Sequence, residues 1–462
     1  MSDTETNGTE AALRSVLAEL WGRPASVSGL HRLSGGASRH TWAFEATPAG
    51  GSTKPYVLRC DAPGRPRPDV MELEAAAIRA AAAVGVPVPG VDTHGDGRGD
   101  AGSFGRPYMV MERLEGETIP RKLLRDERFA SVRPGLAREL GRIAARIHRV
   151  SPSEVPNLPD SDPLDELRRT YAEFTEAHPA IELGLAWLVA HRTAPVTPAL
   201  VHGDFRNGNL LVDDGGVRGI LDWELAHAGD PLEDLGWLCT KAWRFGSPHP
   251  AGGFGSREEL LRGYAEVAGE RPDPERLHWW EVYGTVRWAV LCRKQAEKFL
   301  SGAEDSVELA VLGRKVCEQE WDILLALGLA EPVELADCLD GAAAAAPAPH
   351  DAPGTDALLA AVTGLLGDRA VTTAGDARFR YLARVASGAL AVARRELRLP
   401  TGQEEAHRIR LGTLGFADDS ELAEAIRSGR VEENFPQVVA FVRESVLAKL
   451  AVANPRHAGL PG

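Results

Sequence analysis

The run Leu200–Asp222, LVHGDFRNGNLLVDDGGVRGILD, carries three oxygen-bearing side chains at spacings that suit one chemistry. An apolar pair, Leu200–Val201, leads into His202-Gly203-Asp204, and Asn209 lies five residues beyond that Asp. A second apolar run, Asn209–Val212, reaches the turn Asp213-Asp214-Gly215-Gly216, and a third, Gly219–Leu221, delivers Asp222. Acid–glycine turns between short apolar runs signal a hairpin. The expected arrangement is a loop bearing Asp204 and Asn209, a hairpin, and an acid at its far end. A hard Mg²⁺ takes carboxylate and amide oxygens while keeping phosphate and water ligands. A hydroxyl that attacks a phosphoryl group needs a carboxylate to orient it and accept its proton. Asp204 fits the second task, and Asn209 and Asp222 fit the first. Asn207 competes with Asn209 for the amide role, while Asp213 and Asp214 read as turn formers.

Rigid elements must hold these residues. A helix is expected over 10–20, where Leu13, Leu17 and Leu20 share a face. Val27–Ser38 and His40–Ala46 read as strand, turn, strand, with Ser34-Gly35-Gly36-Ala37-Ser38 at the turn, where glycine lets backbone N–H groups approach a ligand. Tyr56–Arg59 is the next strand. A helix over 69–84 carries Glu72 and Glu74 and ends at Val86-Pro87-Val88-Pro89. Tyr108–Glu112 reads as a buried strand followed by the linker Leu114–Glu117. Helices are expected over 134–150, most of 163–192, 231–245, 274–300 and 306–327. Asp230 reads as a helix N-cap before Pro231, Asp234 as a brace for the loop, and His148 as a packed structural histidine. The helix 274–300 interleaves Trp279, Trp280, Tyr283 and Trp288 with Arg287, Arg293, Lys294 and Lys298. It is either a core helix with a solvated basic face or the wall of a pocket for an anionic acceptor. An Ala/Pro run at 341–354 is a linker. Beyond it the pattern is helical over 355–366, 376–399, 404–414, 420–428 and 435–453, enough for one small core.

The bulk composition bounds the setting. A chain of 462 residues has room for two or three domains. Its 44% hydrophobic and 26% charged residues are ordinary for a soluble globular protein. A net charge of −14 argues against nucleic acid or an anionic membrane as the main partner. The five cysteines are scattered, with no CxxC pair, and read as buried free thiols. The start MSDTETNGTE is too polar for a secretory leader. No run approaches the ~18 apolar residues of a membrane span. A cytoplasmic protein is expected.

The string H-G-D-F-R-N-G-N followed by I-L-D-W-E resembles the aminoglycoside phosphotransferase family of kinase-like small-molecule kinases. The D-x-x-x-x-N spacing of kinase catalytic loops then selects Asn209 over Asn207. The resemblance implies an α+β, bilobal protein-kinase-like fold followed by an all-α domain. An extension at 1–24 would precede a small β-rich N-lobe at 25–114 and a mostly helical C-lobe at 115–340. The linker at 341–354 would lead to an all-helical domain at 355–462, which resembles a domain of unknown function found beside such kinases. It also implies ATP, with GTP as the alternative, and Mg²⁺. The turn of Ser34, Gly35, Gly36, Ala37 and Ser38 would cover the phosphates. Arg59, oriented by Glu74, would grip them, and Met111, Glu112 and Leu114 would meet the adenine. Asn209 and Asp222 would hold the metal, and Asp204 would be catalytic. Arg59 departs from the usual Lys. It keeps the charge and can bind phosphate bidentately, but it is bulkier and planar.

The string D-L-G-W-L-C-x-x-A-W-R-F-G from Asp234 resembles the branch of kinase-like domains associated with acyl-CoA dehydrogenases, which act on hydroxyacyl-CoA substrates. The activity expected is ATP-dependent O-phosphorylation of a small-molecule hydroxyl, a hydroxyacyl-CoA-type acceptor among the candidates. One alternative is a low-activity nucleotide-binding scaffold whose helical tail docks a partner or a second copy. Another is an aminoglycoside or macrolide phosphotransferase. The tail could equally brace the kinase body.

Overall fold

The computed structural model describes residues 3–33, 39–62, 64, 66–98, 104–340, 355–368, 377–399 and 402–462. The chain divides into two compact units. The first holds Met1–Ser161, Pro195–Cys239 and Trp243–Leu277; the second holds Asp162–Ala194, Thr240–Ala242 and His278–Gly462.

The first unit begins with helix α1 (Asp3–Trp21) and a five-stranded antiparallel sheet of β1 (Ala25–Arg32), β2 (Arg39–Pro48), β3 (Lys54–Asp61), β4 (Val91–Gly95) and β5 (Tyr108–Glu112). The strand order is β1-β2-β3-β5-β4. Leu13 and Leu17 of α1 share a core with Trp42 and Phe44 of β2 and with Leu58 and Cys60 of β3. Strand side chains alternate between faces, so Arg59 points to the face opposite this core. Helix α2 (Pro68–Ala83) follows β3 and buries Glu74 completely.

Beyond the sheet come α3 (Pro120–Arg125) and α4 (Arg133–Ile147), with the α4 stripe of Leu136, Leu140, Ile143 and Ile147 fully buried. Short strands β6 (Ala199–Val201) and β9 (His227–Gly229) pair with each other. The expected hairpin is β7 (Leu210–Asp213) with β8 (Gly216–Ile220), turning over Asp214-Gly215. The helix expected over 231–245 is shorter: α7 (Leu232–Cys239) stops and a 3₁₀ turn, Lys241–Arg244, follows. The cause is local. Arg244 donates two hydrogen bonds to the Cys239 carbonyl (2.8 and 3.1 Å), and Gly252 N–H donates to the Leu238 carbonyl at 3.1 Å. The last carbonyls of α7 are thereby satisfied by a side chain and a loop rather than by another helical turn. Helix α8 (Arg257–Ala268) completes this part.

The second unit holds α5 (Pro163–Tyr171), α6 (Pro179–Ala190), most of α9 (Pro274–Leu300), α10 (Val307–Arg314), α11 (Val316–Ala326) and the tail helices Thr355–Gly367, Ala377–Leu397, Gln403–Thr413, Asp419–Arg427 and Phe435–Ala453. The single helix expected over 306–327 is two, divided at Lys315. The tail does not close a core alone. Leu422, Ile426, Val438, Val442, Val446 and Leu450 pack with Ala180 and Leu183 of α6 and with Trp321 and Leu324 of α11. The linker expected at 341–354 lies outside the described residues.

Three consecutive α11 residues fasten this core. Glu320 accepts from Lys449 at 3.0 Å and His178 at 2.9 Å, Trp321 donates to the Ala458 carbonyl at 3.2 Å, and Asp322 meets His457 at 2.8 Å and Lys241 at 2.9 Å. The aromatic helix α9 is a core helix. Trp279, Trp280 and Tyr283 are buried, and Arg293 is spent on Glu176 and Glu297. One expectation about cysteine needs correcting: four thiols are buried, but Cys338 is exposed. It sits in the one-turn 3₁₀ helix Cys338–Asp340, which buries no residue.

Burial alone would raise the Glu320 pKa, but the Lys449 charge and the His178 hydrogen bond pull it down to about 2. A depressed carboxylate contributes stability that is complete above its unfolded value, near 4.5, and is lost as pH falls toward 2. We expect Lys449→Met to cost about 2 kcal/mol at neutral pH, because a buried carboxylate loses a charged partner. Thermal unfolding across pH checks this: the gap between variant and parent should narrow below pH ~4.

Candidate active site

The loop His202–Asn209 is fixed from behind by Asp234 of α7. This fully buried carboxylate accepts from His202 N–H (2.8 Å), Gly203 N–H (3.0 Å) and His148 Nε2 (3.1 Å). Burial alone would raise its pKa, but the His148 hydrogen bond and charge, with the loop amides, hold it below the ordinary carboxylate range. His148, the packed histidine expected at the end of α4, is thus its second support, with Tyr264 on its other nitrogen at 3.1 Å. Gly203 has φ +78°, and a Cβ there would lie 2.3 Å from the Leu225 carbonyl oxygen. Only glycine permits both that backbone conformation and that approach.

His202 ties the loop to the strand that delivers Asp222. Its Nδ1 accepts from Asp204 N–H at 3.1 Å, so its Nε2 carries the proton and donates to the Leu221 carbonyl at 3.1 Å. Leu221 N–H in turn donates to the Asn209 carbonyl at 2.9 Å. Asp222 follows with φ +69°, a left-handed conformation uncommon outside glycine. Asn209 donates its amide to Asp204 Oδ2 at 2.6 Å. Asp204 and Asn209 are thus in direct contact, and Asp222 follows the residue whose backbone is bonded to Asn209. Asn207 turns away and donates to the Gly252 carbonyl at 2.8 Å, so its amide braces the loop after α7.

Arg59 reaches the same place from the sheet. Its Nη2 donates to Asp222 Oδ1 at 2.9 Å, and its Nη1 pairs with Glu74 Oε1. The other Glu74 oxygen pairs with Arg39, whose Nε donates to Asp61 at 3.2 Å. Glu224 closes the rim against Arg67 at 3.3 Å. Burial disfavours ionisation of Asp222, but Arg59, with Arg39 nearby, keeps its carboxyl below the usual range.

The remaining expected residues are placed as follows. Ser34, Gly35, Gly36, Ala37 and Ser38 lie outside the described residues. Met111 is buried in β5 between β3 and β4, and Glu112 spends its N–H on the Gly90 carbonyl at 2.8 Å. The Leu114 side chain lies against Gly219 of β8. Glu117 exchanges two backbone hydrogen bonds with Val212 at 2.9 and 3.1 Å, so the segment after β5 rests on the hairpin beside Asn209 and Asp222.

Asn209 uses its N–H₂ on Asp204 and keeps its amide oxygen out of that contact. Among the described residues no three His, Cys, Asp or Glu side chains gather as a metal cage. A cation here would rest on one carboxylate, one amide and oxygens that a ligand brings. That set suits Mg²⁺ and not zinc.

Comparison with known proteins decides the family. Residues 29–280, more than half of the chain, match the phosphotransferase enzyme family (APH). The chain belongs to that family. Residues 373–457 match a domain of unknown function, DUF6285. Mouse acyl-CoA dehydrogenase family member 10 is 25% identical over 284 residues, 56% of this chain; the chain spans 26% of that protein's length. A Ralstonia eutropha protein designated an aminoglycoside phosphotransferase shares the fold, with a TM-score of 0.56 at 21% identity over 69% of this chain and 97% of its own. A macrolide 2′-phosphotransferase from Brachybacterium faecium is 23% identical over 66% of this chain and 97% of its own, with a TM-score of 0.44. The α+β kinase-like architecture and all-helical tail expected from the sequence are those of this phosphotransferase. Among the described residues no helix is long and apolar enough to cross a membrane.

Sequence reasoning missed Arg39 and Asp61, which face each other across β2 and β3, because that pairing needs the strand register. It also missed two groups on Asp204. Trp237 Nε1 donates to Oδ1 at 2.8 Å, and Arg206 Nε to the same oxygen at 2.9 Å. Arg206 stands in the motif itself, two residues beyond Asp204. We expect Glu74→Gln to destabilise the protein by about 3 kcal/mol, since Arg39 and Arg59 then lose the buried carboxylate they share. It should also weaken nucleotide binding. Chemical denaturation and equilibrium titration with a nucleotide measure the two effects separately.

Proposed function

We propose that the protein is an ATP- and Mg²⁺-dependent O-phosphotransferase that acts on the hydroxyl of a small molecule. The observation that carries this reading is the meeting of Asp204 with Asn209 at 2.6 Å, beside an Asp222 held by Arg59 at 2.9 Å. A carboxylate offers about four lone-pair directions. Trp237, Arg206 and Asn209 fill three of those on Asp204, which leaves one for an incoming hydroxyl. In the proposed step the acceptor oxygen attacks the γ-phosphorus in line and the bond to the β-phosphate oxygen breaks. The hydroxyl proton passes to Asp204, and ADP leaves. Asn209 and Asp222 would hold the cation, which neutralises phosphate charge when bound. Arg59, oriented by Glu74, would steady the phosphates. Catalysis is then mostly positioning and preorganised charge.

Hydroxyacyl-CoA thioesters, the acceptors suggested by the string from Asp234, are among those to try, and the mouse relative's name, an acyl-CoA dehydrogenase family member, supports including them. Asp204→Asn should lower acceptor-dependent ADP release by about 10²–10⁴-fold while nucleotide binding persists. Purified protein with Mg-ATP, offered hydroxyacyl-CoAs, sugars and aminoglycosides with mass detection of an added phosphoryl group, identifies the acceptor. Absence of transfer to any acceptor would refute the reading.

A further inference from the structure

Asp204 has two differently furnished sides. Oδ2 faces Asn209, and through the Asn209 backbone the strand end that leads to Asp222, which Arg59 of β3 meets. Oδ1 faces Trp237 and Arg206. The Arg206 guanidinium lies 4.4 Å over the Trp243 ring, and Trp243 stands 5.2 Å from Trp237. On its other flank is Gly208, where a Cβ would come within 2.5 Å of Arg206 Nη1. The side chain is therefore gripped by an indole, a glycine and the catalytic loop's own carboxylate. Only its Nε is used in the hydrogen bond to Asp204. Among the described residues no acid other than Asp204 pairs with it, and its side chain is 24% exposed. A planar fork held rigidly with its outer N–H groups unspent is a receptor for an oxyanion.

We propose that Arg206 is a specificity residue whose Nη1 and Nη2 receive an anionic group, carboxylate or phosphate, that the acceptor carries close to its reacting hydroxyl. This rests on the phosphotransfer reading above and narrows its acceptor to one with a free carboxylate or phosphate beside the hydroxyl, in preference to a hydroxyacyl-CoA thioester. The hydroxyl itself takes the open direction on Oδ2, so what Arg206 meets on the Oδ1 side is a second group of the same acceptor. The groups suited to phosphates and metal approach through Oδ2, whereas Arg206 approaches Oδ1 with the α7 tryptophan. The loop after α7 frames this second side. Asn207 holds Gly252, Ser247 Oγ donates to the Gly253 carbonyl at 2.8 Å, and Phe245 sits at φ +49°. The basic residues of α9 were the other candidate for meeting an anion, but Arg293 is already paired there.

The test uses matched pairs that differ in one charge: 2-, 3- and 4-hydroxycarboxylates against their methyl esters, and glycerol 3-phosphate against glycerol. KM, kcat and calorimetric affinity are measured in the presence of a magnesium nucleotide. The parent protein should favour the anionic member of at least one pair by about tenfold or more in KM or affinity. Arg206→Gln should erase that preference, and Arg206→Lys should restore part of it. Nucleotide affinity and cooperative unfolding, measured on both variants, show that the site remains folded. Equal binding of charged and neutral members by the parent protein would overturn the proposal. So would a fall in kcat alone, equal for both members, which would assign Arg206 to the transferring phosphoryl group. If no acceptor is phosphorylated but anionic members still bind preferentially through Arg206, the phosphotransfer reading fails and this one stands.

Discussion

The centre of the first unit is a single buried carboxylate shared by two arginines. Glu74 gives one oxygen to Arg39 and the other to Arg59. Removing a carboxylate from water is expensive unless charge and hydrogen bonds are returned to it, and here two guanidinium groups return both. The arrangement fixes more than α2. Arg39 is the first residue of β2, Arg59 lies in β3 and Asp61 ends β3, so the same network sets the ends of two strands against one helix. Arg59 can then extend to Asp222 only because its own base is held.

A second buried carboxylate does the corresponding job behind the loop. Asp234 takes two consecutive backbone amides, His202 and Gly203, and one imidazole. Those amides lie at a turn where no strand or helix can satisfy them, so the carboxylate replaces a backbone ladder. The two acids act on opposite ends of one chain of contacts. Asp234 holds His202, His202 holds Leu221, and Asp222 meets Arg59, which Glu74 holds. Displacing either acid would therefore be felt at Asp204 and Asn209, although neither acid bonds to those two side chains.

Much of this was legible in the sequence because it is local. The hairpin turn, the loop and the acid after it lie within one short segment, and turn chemistry places them without any tertiary knowledge. The pairing of Arg59 with Glu74 was legible by resemblance, since strand and helix are consecutive. What could not be read is non-local. Arg39 and Asp61 meet through a strand register that no single segment announces. Trp237 reaches Asp204 from a helix that follows β9. The tail helices read as a self-contained bundle because their apolar periodicity is complete, yet periodicity names only a buried face and not its partner. Here that partner includes α6 and α11. The short α7 was hidden for a related reason: its end is set by Arg244 and Gly252, whose contacts form only once the loop is folded.

The charge count at the centre bears on what can enter it. Arg39 and Arg59 stand against Asp61, Glu74 and Asp222, while Arg67 and Glu224 cancel at the rim. The cluster thus carries one excess negative charge. A polyphosphate approaching such a centre would meet net repulsion unless it brought a cation or drew Arg59 away from an acid. Arg59 suits that exchange better than a lysine would. Its planar fork can keep Glu74 on one nitrogen while the other moves from Asp222 to a phosphate oxygen, so the helix contact survives the transfer. Asp222 would then be free for the cation that the phosphate carries. The substitution that looks like a departure from the kinase pattern therefore agrees with an acid-rich site in which one contact must be surrendered and another retained.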